Sequence, residues 1–108
     1  MKLITAIVQD KDANNVANAL IENDIRATRI SSVGGFLRSG NVTFMIAIDE
    51  GKVDDVIELI SQHSKKRQEF MSGNASLLTL NPELIEPIEV TVGGATIIVQ
   101  NIERFKQI

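Results

Sequence analysis

The sequence predicts one α+β domain of the split β-α-β, ferredoxin-like type, with an antiparallel sheet covered by two helices on one face. Three observations predict it. The chain has 108 residues, which is enough for one core and too few for two. Short apolar runs typical of strands alternate with two stretches whose apolar residues recur at helical spacing. Their order is β-α-β-β-α-β, with an extra C-terminal strand.

The first half of the chain opens with a strand, Leu3–Val8, whose nearly continuous apolar residues indicate burial on both faces. Asp10 and Asp12 follow as predicted N-caps of a helix. The helix has one apolar stripe, formed by Ala13, Val16, Ala17, Leu20 and Ile21. Asn23–Asp24 ends this helix, and a second strand is predicted over Ile25–Ser32.

The second half repeats the pattern. A third strand is predicted over Val42–Ile48, and Asp49–Glu50 supplies the cap and the first-turn acid of another helix. The apolar stripe of that helix consists of Val53, Val56, Ile57 and Ile60. The helix is expected to end near His63–Ser64. Residues 65–86 are less regular and predict a short strand, a mobile surface loop and a return to the sheet.

The C-terminal part is predicted to form a hairpin. Ile88–Val92 alternates as a half-exposed strand, Gly93–Gly94 is a two-residue turn, and Ala95–Val99 is the returning strand. A last helical turn is expected over Ile102–Phe105. Because the strands carry apolar residues on both faces, we expect the face without helices to be buried in a homo-oligomer.

Composition excludes several classes of function. The chain has 11 basic and 14 acidic residues, and its net charge of −3 argues against binding to nucleic acid. It has no cysteine, which excludes disulfides, thiolate nucleophiles and cysteine-ligated zinc. No apolar run approaches the ~20 residues that cross a bilayer. A cytoplasmic protein without a membrane partner is expected.

Catalysis has little support in the sequence. The single histidine, His63, falls at a predicted helix end, where the helix dipole favours it. One histidine without cysteine disfavours a metal site. The neighbouring carboxylates all fall near helix starts, where acids are structurally favoured: Asp10 and Asp12, Asp49 and Glu50, Asp54 and Asp55. We therefore rank a carboxylate enzyme last and predict no enzymatic activity.

One segment, residues 25–41, combines groups that suit a nucleotide. It holds three arginines, whose planar forks fit phosphate, and glycines that let the backbone approach an anion. Phe36 in a glycine-flanked loop suits stacking on a base, and Asn41 suits reading a base edge. An alternative of about equal weight is that Phe36 and Leu37 pack on a neighbouring subunit while the arginines are solvated.

Two blocks in this order, GGFLRSGN at 34–41 and EVTVGGAT at 89–96, resemble the PII-like cyclic-di-AMP receptor family of Gram-positive bacteria, the group called PstA or DarA. KLITAIVQD at 2–10 resembles it as well. The resemblance implies a homotrimer that binds cyclic-di-AMP in clefts between subunits. It also implies a signal receptor that uses no cofactor or metal and relays its bound state to an unknown protein partner by ordering loops.

The resemblance implies eight ligand-binding positions: Arg26, Thr28, Gly35, Phe36, Leu37, Asn41, Ala47 and Gln107. Arg26 would meet a phosphate, and Thr28 and Asn41 would hydrogen-bond the ligand. The three loop residues would form a wall against an adenine. Gln107 would approach a base from its own chain or from the adjacent one.

The sequence departs from the family pattern at four places. Asp24 stands where asparagine is usual, Ala47 where glycine is usual, and Ser32-Val33 where a pair of threonines is usual. The Pro- and Gly-rich segment usual in the family is absent from residues 65–86, where only Arg67-Gln68-Glu69 is a clear remnant. The alternative function is therefore a diverged PII-like interaction module that has lost cyclic-di-AMP binding or binds another adenine nucleotide.

Overall fold

The computed structural model describes residues 1–31, 40–71 and 88–108. A 3-10 turn, Glu50–Lys52, precedes the second helix. The helices and strands are β1 (Lys2–Gln9), α1 (Asp10–Glu22), β2 (Thr28–Ser31), β3 (Asn41–Ile48), α2 (Val53–Gln62), β4 (Arg67–Met71), β5 (Ile88–Val92) and β6 (Ala95–Asn101).

The strands form two antiparallel sheets. The main sheet has four strands in the order β2-β3-β1-β6, and a separate ribbon pairs β4 with β5. Mixed α+β content, an antiparallel sheet and two helices are consistent with the predicted ferredoxin-like fold. The place of the last strand differs from the prediction. Strand β6 is not an extra strand, because it pairs with β1 and completes the main sheet. The additional element is the ribbon.

The core lies between the helices and one face of the main sheet. Alternate residues of the central strands are fully buried there: Ile4, Ala6 and Val8 of β1, and Val42, Phe44 and Ile46 of β3. Val16 and Leu20 of α1 and Val56 and Ile60 of α2 pack against them. The predicted apolar stripes therefore face the core, except that Ile21 is 70% exposed and that Ile57 is half-buried and lies outside the core cluster. One face of the sheet is buried under the two helices, and no helix of the described residues covers the other face, which is called the open face below.

The start of α1 corrects one prediction. Asp10 and Asp12 lie inside the first turn, and the N-cap residue is Gln9, which makes no side-chain capping bond. The backbone N–H of Asp10 instead donates to the carbonyl of Gly40, at 3.0 Å. The Asp12 side chain is buried against an arginine that lies 55 residues further along the chain. Local patterning does not reveal such a partner.

The end of α1 explains why β2 is shorter than the predicted Ile25–Ser32. The N–H of Ile25 donates to the carbonyl of Leu20 at 2.9 Å, and that of Asp24 to the carbonyl of Ile21 at 3.1 Å. Asp24 has a positive φ of 56°. These features are those of a Schellman cap, which keeps residues 23–25 in the helix terminus. Strand pairing begins only at Thr28.

Two further predictions about the C-terminal part are wrong. The glycines at 93–94 do not form a hairpin turn, because β5 pairs with β4 and β6 pairs with β1. They form a corner where the chain passes from the ribbon to the main sheet. Residues 102–105 form no helical turn. The N–H of Ile102 donates to the carbonyl of Met1, and the chain continues as an exposed tail.

Candidate functional site

The open face of the main sheet carries three of the predicted ligand residues. Directly paired strand residues lie on the same face, and Thr28 pairs with Met45. The residues of β3 that alternate with its buried side chains are Asn41, Thr43, Met45 and Ala47. Thr28, Asn41 and Ala47 therefore share the face that the helices leave uncovered.

These three residues lie at opposite ends of that face. Ala47 pairs with Leu3 near the start of β1, whereas Asn41 pairs with Gln9 at its end. The two residues are six positions apart on β3, which corresponds to about 20 Å. Thr28 lies near Ala47, because its partner Met45 is two positions away on β3. The structure thus brings Thr28 and Ala47 together and keeps Asn41 apart from them.

The other predicted residues have different positions. Arg26 is exposed two residues before β2, and thus next to the Thr28 end. Gln107 is exposed in the C-terminal tail, which leaves the main sheet beside Met1. The predicted loop wall, Gly35, Phe36 and Leu37, lies outside the described residues.

A cavity of about 280 Å³ lies at the Asn41 end. Two strands of the main sheet contribute Gln9 and Asn41, and a third contributes Thr96. Lys66 and the glycine corner complete the wall together with the apolar residues Ile7, Val8 and Ala95. The polar side chains of the wall and its one cation, Lys66, can offer hydrogen bonds and positive charge to a polar ligand.

The glycine corner is held tightly. The N–H of Gly93 donates to Gln9 Oε1 at 2.7 Å, and the N–H of Gly94 donates to the carbonyl of Ser64. Gly93 has a φ of 87°, and a Cβ there would lie 2.3 Å from the Lys65 carbonyl oxygen. Only glycine accommodates both the positive φ and this close approach. Gly93 and Gly94, the glycine corner, thus connect the cavity wall to the base of the ribbon, where Arg67 of β4 pairs with Val92 of β5.

An ionic cluster joins that base to α1. Arg67 of β4 forms two bonds with the nearly buried Asp12 carboxylate, Nη2 to Oδ1 at 2.8 Å and Nη1 to Oδ2 at 3.2 Å. Arg67 Nε also donates to Glu69 Oε1 at 3.2 Å, and Lys11 Nζ donates to the other oxygen of Glu69. Hydrogen bonds to Asp12 and then to Glu69 raise the pKa of Arg67. The hydrogen bond from Lys11 is the main cause that lowers the pKa of Glu69, and burial opposes it.

A second cavity, of about 430 Å³, lies between the helices at the other end of the molecule. Ile48, Val56 and Leu59 provide apolar walls, with Asn23, Ile25 and three charged residues, Asp24, Lys52 and Asp55. Asp24, at the position where the family resemblance implies asparagine, belongs to this cavity and not to that of Asn41. Two carboxylates and one ammonium give this cavity an acidic balance, which disfavours a phosphate.

Sequence reasoning missed three residues of the first cavity: Gln9, Lys66 and Thr96. Gln9 and Thr96 stood at the ends of predicted strands, where nothing marked them as functional. Lys66 belongs to a basic run at 65–67, and this run is the local signal that could have marked it as an anion contact. Its proximity to Asn41 depends on long-range pairing.

The described part of the chain holds neither a candidate metal-binding cluster nor a candidate membrane-spanning helix. Within residues 1–31, 40–71 and 88–108, no three acidic or histidine side chains lie close enough to hold a metal ion. No helix in the same ranges is long and apolar enough to cross a membrane.

Two matches with known proteins bear on the function of this chain. A family model described as cyclic-di-AMP receptor matches residues 1–108. Among solved structures, the chain is similar to a functionally unknown protein from Pediococcus pentosaceus ATCC 25745. The two sequences are 46% identical, the match covers 99% of this chain and 96% of that chain, and the TM-score is 0.76. Both matches extend well beyond the two sequence blocks that resemble the PII-like family.

Proposed function

Because this chain belongs to the cyclic-di-AMP receptor family, we propose that it is a PII-like signal transduction protein that binds cyclic-di-AMP and not an enzyme. The observation that carries the proposal is the family match over all 108 residues. The positions of Thr28, Ala47 and Asn41 on one open sheet face support it, because these residues would serve the ligand from a shared surface.

We place the ligand in clefts between subunits. A cyclic dinucleotide on one protomer would have to span the distance of about 20 Å between Ala47 and Asn41 to contact both. A neighbouring copy can instead bring its Asn41 end against the Thr28 end of the first. Arg26 would then meet a phosphate, and the exposed Gln107 would reach a base in either copy.

The proposed assembly is a homotrimer that buries the open face. Ile30, Met45 and Ile98 lie on this face and are between 37 and 46% exposed in the single chain. Exposed apolar side chains grouped on one sheet face favour burial against another protein surface. A second copy of the same chain fits, since each copy carries the same face.

The proposed output is a change in loop order that an unknown protein partner recognises. The cavity beside Asn41 touches the glycine corner, and the corner forms the base of the ribbon. A ligand that favours one arrangement of that corner shifts the population of ribbon and loop states. We place this process in the cytoplasm, because a charged dinucleotide does not cross a bilayer unaided.

Isothermal titration of the purified protein with cyclic-di-AMP tests the function, with ATP and cyclic-di-GMP as competing ligands. We expect one site per subunit, selective for cyclic-di-AMP. Arg26→Ala should lose binding and keep the oligomer, as measured by light scattering. Arg29→Ala is the matched control, because Arg29 Nη1 donates to Asn14 Oδ1 on the helix side of the sheet.

Two results would contradict the proposal. A flat titration with a folded trimer would favour the diverged module that binds another adenine nucleotide or none. Loss of the trimer in Arg26→Ala would assign this residue to assembly and not to the phosphate.

A further inference from the structure

The cavity at Asn41 and the larger cavity between the helices differ in charge. The larger cavity carries Asp24 and Asp55 beside Lys52. Among the described residues, the cavity at Asn41 is lined by one charged side chain, Lys66, and by no carboxylate. A phosphate is therefore attracted to the cavity at Asn41 and not to the larger one.

The glycine corner determines the path of the Lys66 side chain. A Cβ on Gly94 would lie 3.2 Å from both Cγ and Cε of Lys66, and 3.8 Å from Cδ. The aliphatic part of Lys66 thus runs along the bare backbone of Gly94. A Cβ at position 94 would push the lysine by a few tenths of an ångström, and the φ of 93° at Gly94 would strain any larger residue.

The other donors of the corner are already used. The N–H of Gly93 is bound to Gln9 Oε1, and the N–H of Gly94 to the carbonyl of Ser64. These amides cannot also cradle an anion without breaking the corner. The ammonium of Lys66 has three donors and, among the described residues, no hydrogen-bonded or ion-paired partner. Lys11, by contrast, is paired with Glu69.

We propose that Lys66 binds a phosphate of the ligand in the Asn41 cavity, and that Gly94 is the residue that positions it. This inference rests on the proposed function, since it names a further residue of the same site. Lysine suits this role because a compact ammonium on a flexible chain acts as a point charge toward a phosphate. Lys66 lies on the connection between α2 and β4, so this proposal puts an anion contact next to the base of the ribbon.

Titration of Lys66→Gln with cyclic-di-AMP tests the proposal, with Lys65→Gln as the matched control. Lys65 is the adjacent exposed lysine, and its side chain does not line the cavity. We expect binding by Lys66→Gln to be about fivefold weaker at low salt. The difference should nearly vanish in about 1 M salt, where the Debye length is about 3 Å. Lys65→Gln should bind like the wild type.

Two more variants separate the charge from its position. Lys66→Arg keeps a cation and should retain most of the affinity. Gly94→Ala keeps the lysine, crowds its side chain and should weaken binding by less than Lys66→Gln does. Circular dichroism and light scattering must first show that each variant is folded and assembled. If Gly94→Ala fails to fold, Lys66→Gln and Lys66→Arg decide.

The outcomes distinguish this inference from the proposed function. If the wild type does not bind cyclic-di-AMP, the proposed function fails. If the wild type binds and Lys66→Gln binds equally well at every salt concentration, the function stands and the role of Lys66 is refuted. Equal losses in Lys66→Gln and Lys65→Gln would also refute it, because a diffuse positive charge would then suffice.

Discussion

The main sheet and the ribbon are held in place by different interactions. Apolar side chains from β1, β3 and both helices are packed to near-zero exposure in the main sheet. The described part of the ribbon contributes no residue to that core. An ion-paired Asp12–Arg67 contact and the two backbone donors of the glycine corner hold the ribbon instead.

The difference shows how one small domain combines a rigid frame with a separable part. Apolar burial depends little on salt and pH, and it fails only when the fold fails. Ion pairs at the surface respond to salt, to protonation and to nearby anions. We therefore expect the ribbon to change its position more readily than the main sheet unfolds, as the proposed relay from the Asn41 cavity would require.

The largest expected effect on stability comes from a substitution in the core of the main sheet. Phe44 is the largest fully buried side chain, so Phe44→Ala should lower the free energy of unfolding by about 3–5 kcal/mol. Phe70 on the ribbon is 72% exposed, and Phe70→Ala should change it by less than about 0.5 kcal/mol. Urea unfolding monitored by circular dichroism measures both. Similar losses in the two variants would contradict the distinction between frame and ribbon.

The frame was the part most open to prediction from sequence. The apolar periodicities in β1, α1, β3 and α2 reflect burial against a single core, and the predicted bounds agree with the structure within a few residues. The family resemblance is confirmed by the match over all 108 residues. Thr28, Asn41 and Ala47 are on one face, as strand alternation allows, but their contacts with a ligand stay predictions.

The ribbon was the part of the fold that the sequence did not predict correctly. Two adjacent glycines are typical of a hairpin, yet the partners of β5 and β6 are β4 and β1. Such long-range pairing leaves no mark in local periodicity. Asp12 was predicted to be an N-cap from its position before the apolar stripe of α1, and its pairing with Arg67 was missed because that residue lies far away in the chain. Ile102–Phe105 is too short to form a helix without tertiary support.

The next effect concerns the corner that joins the two regions. Gly93→Ala forces a side chain into a φ of 87° and places its Cβ against the Lys65 carbonyl. The strained φ alone should cost roughly 1–3 kcal/mol. Gly51→Ala is the control, because a Cβ there meets nothing within 4 Å. Thermal unfolding should show a lower Tm for Gly93→Ala alone, and an unchanged Tm would mean that the corner is not rigid.

A smaller and more local effect is expected from the ionic cluster. Arg67→Met leaves the nearly buried Asp12 carboxylate without its bidentate partner. Hydrogen exchange should show faster exchange of the β4 and β5 amides, with little change in β1 and β3. Arg29→Met is the control, since Arg29 bonds an exposed asparagine away from the ribbon. Equally faster exchange across the main sheet would show that the cluster supports the whole fold.

The smallest expected effect is a pH dependence of the stability that the ionic cluster contributes. The hydrogen bond from Lys11 lowers the pKa of Glu69 below its usual 4.5, so the folded state binds this proton less readily than the unfolded state. The resulting stabilisation is fully present above pH 4.5 and is lost as the pH falls through the lowered pKa of the folded state. Glu69→Gln should therefore be less stable than the wild type at neutral pH, and the difference should shrink in acid.

A double-mutant cycle with Lys11→Gln identifies the source of that dependence. In the Lys11→Gln background, Glu69→Gln should change the free energy of unfolding by less, and this change should vary less with pH across the acid range. The reason is that the main cause of the lowered pKa of Glu69 is absent there. Urea unfolding at a series of pH values measures the four variants. A difference that stays constant with pH would show that Glu69 acts by packing alone, and the ribbon would then depend on charge only through the Asp12–Arg67 pair.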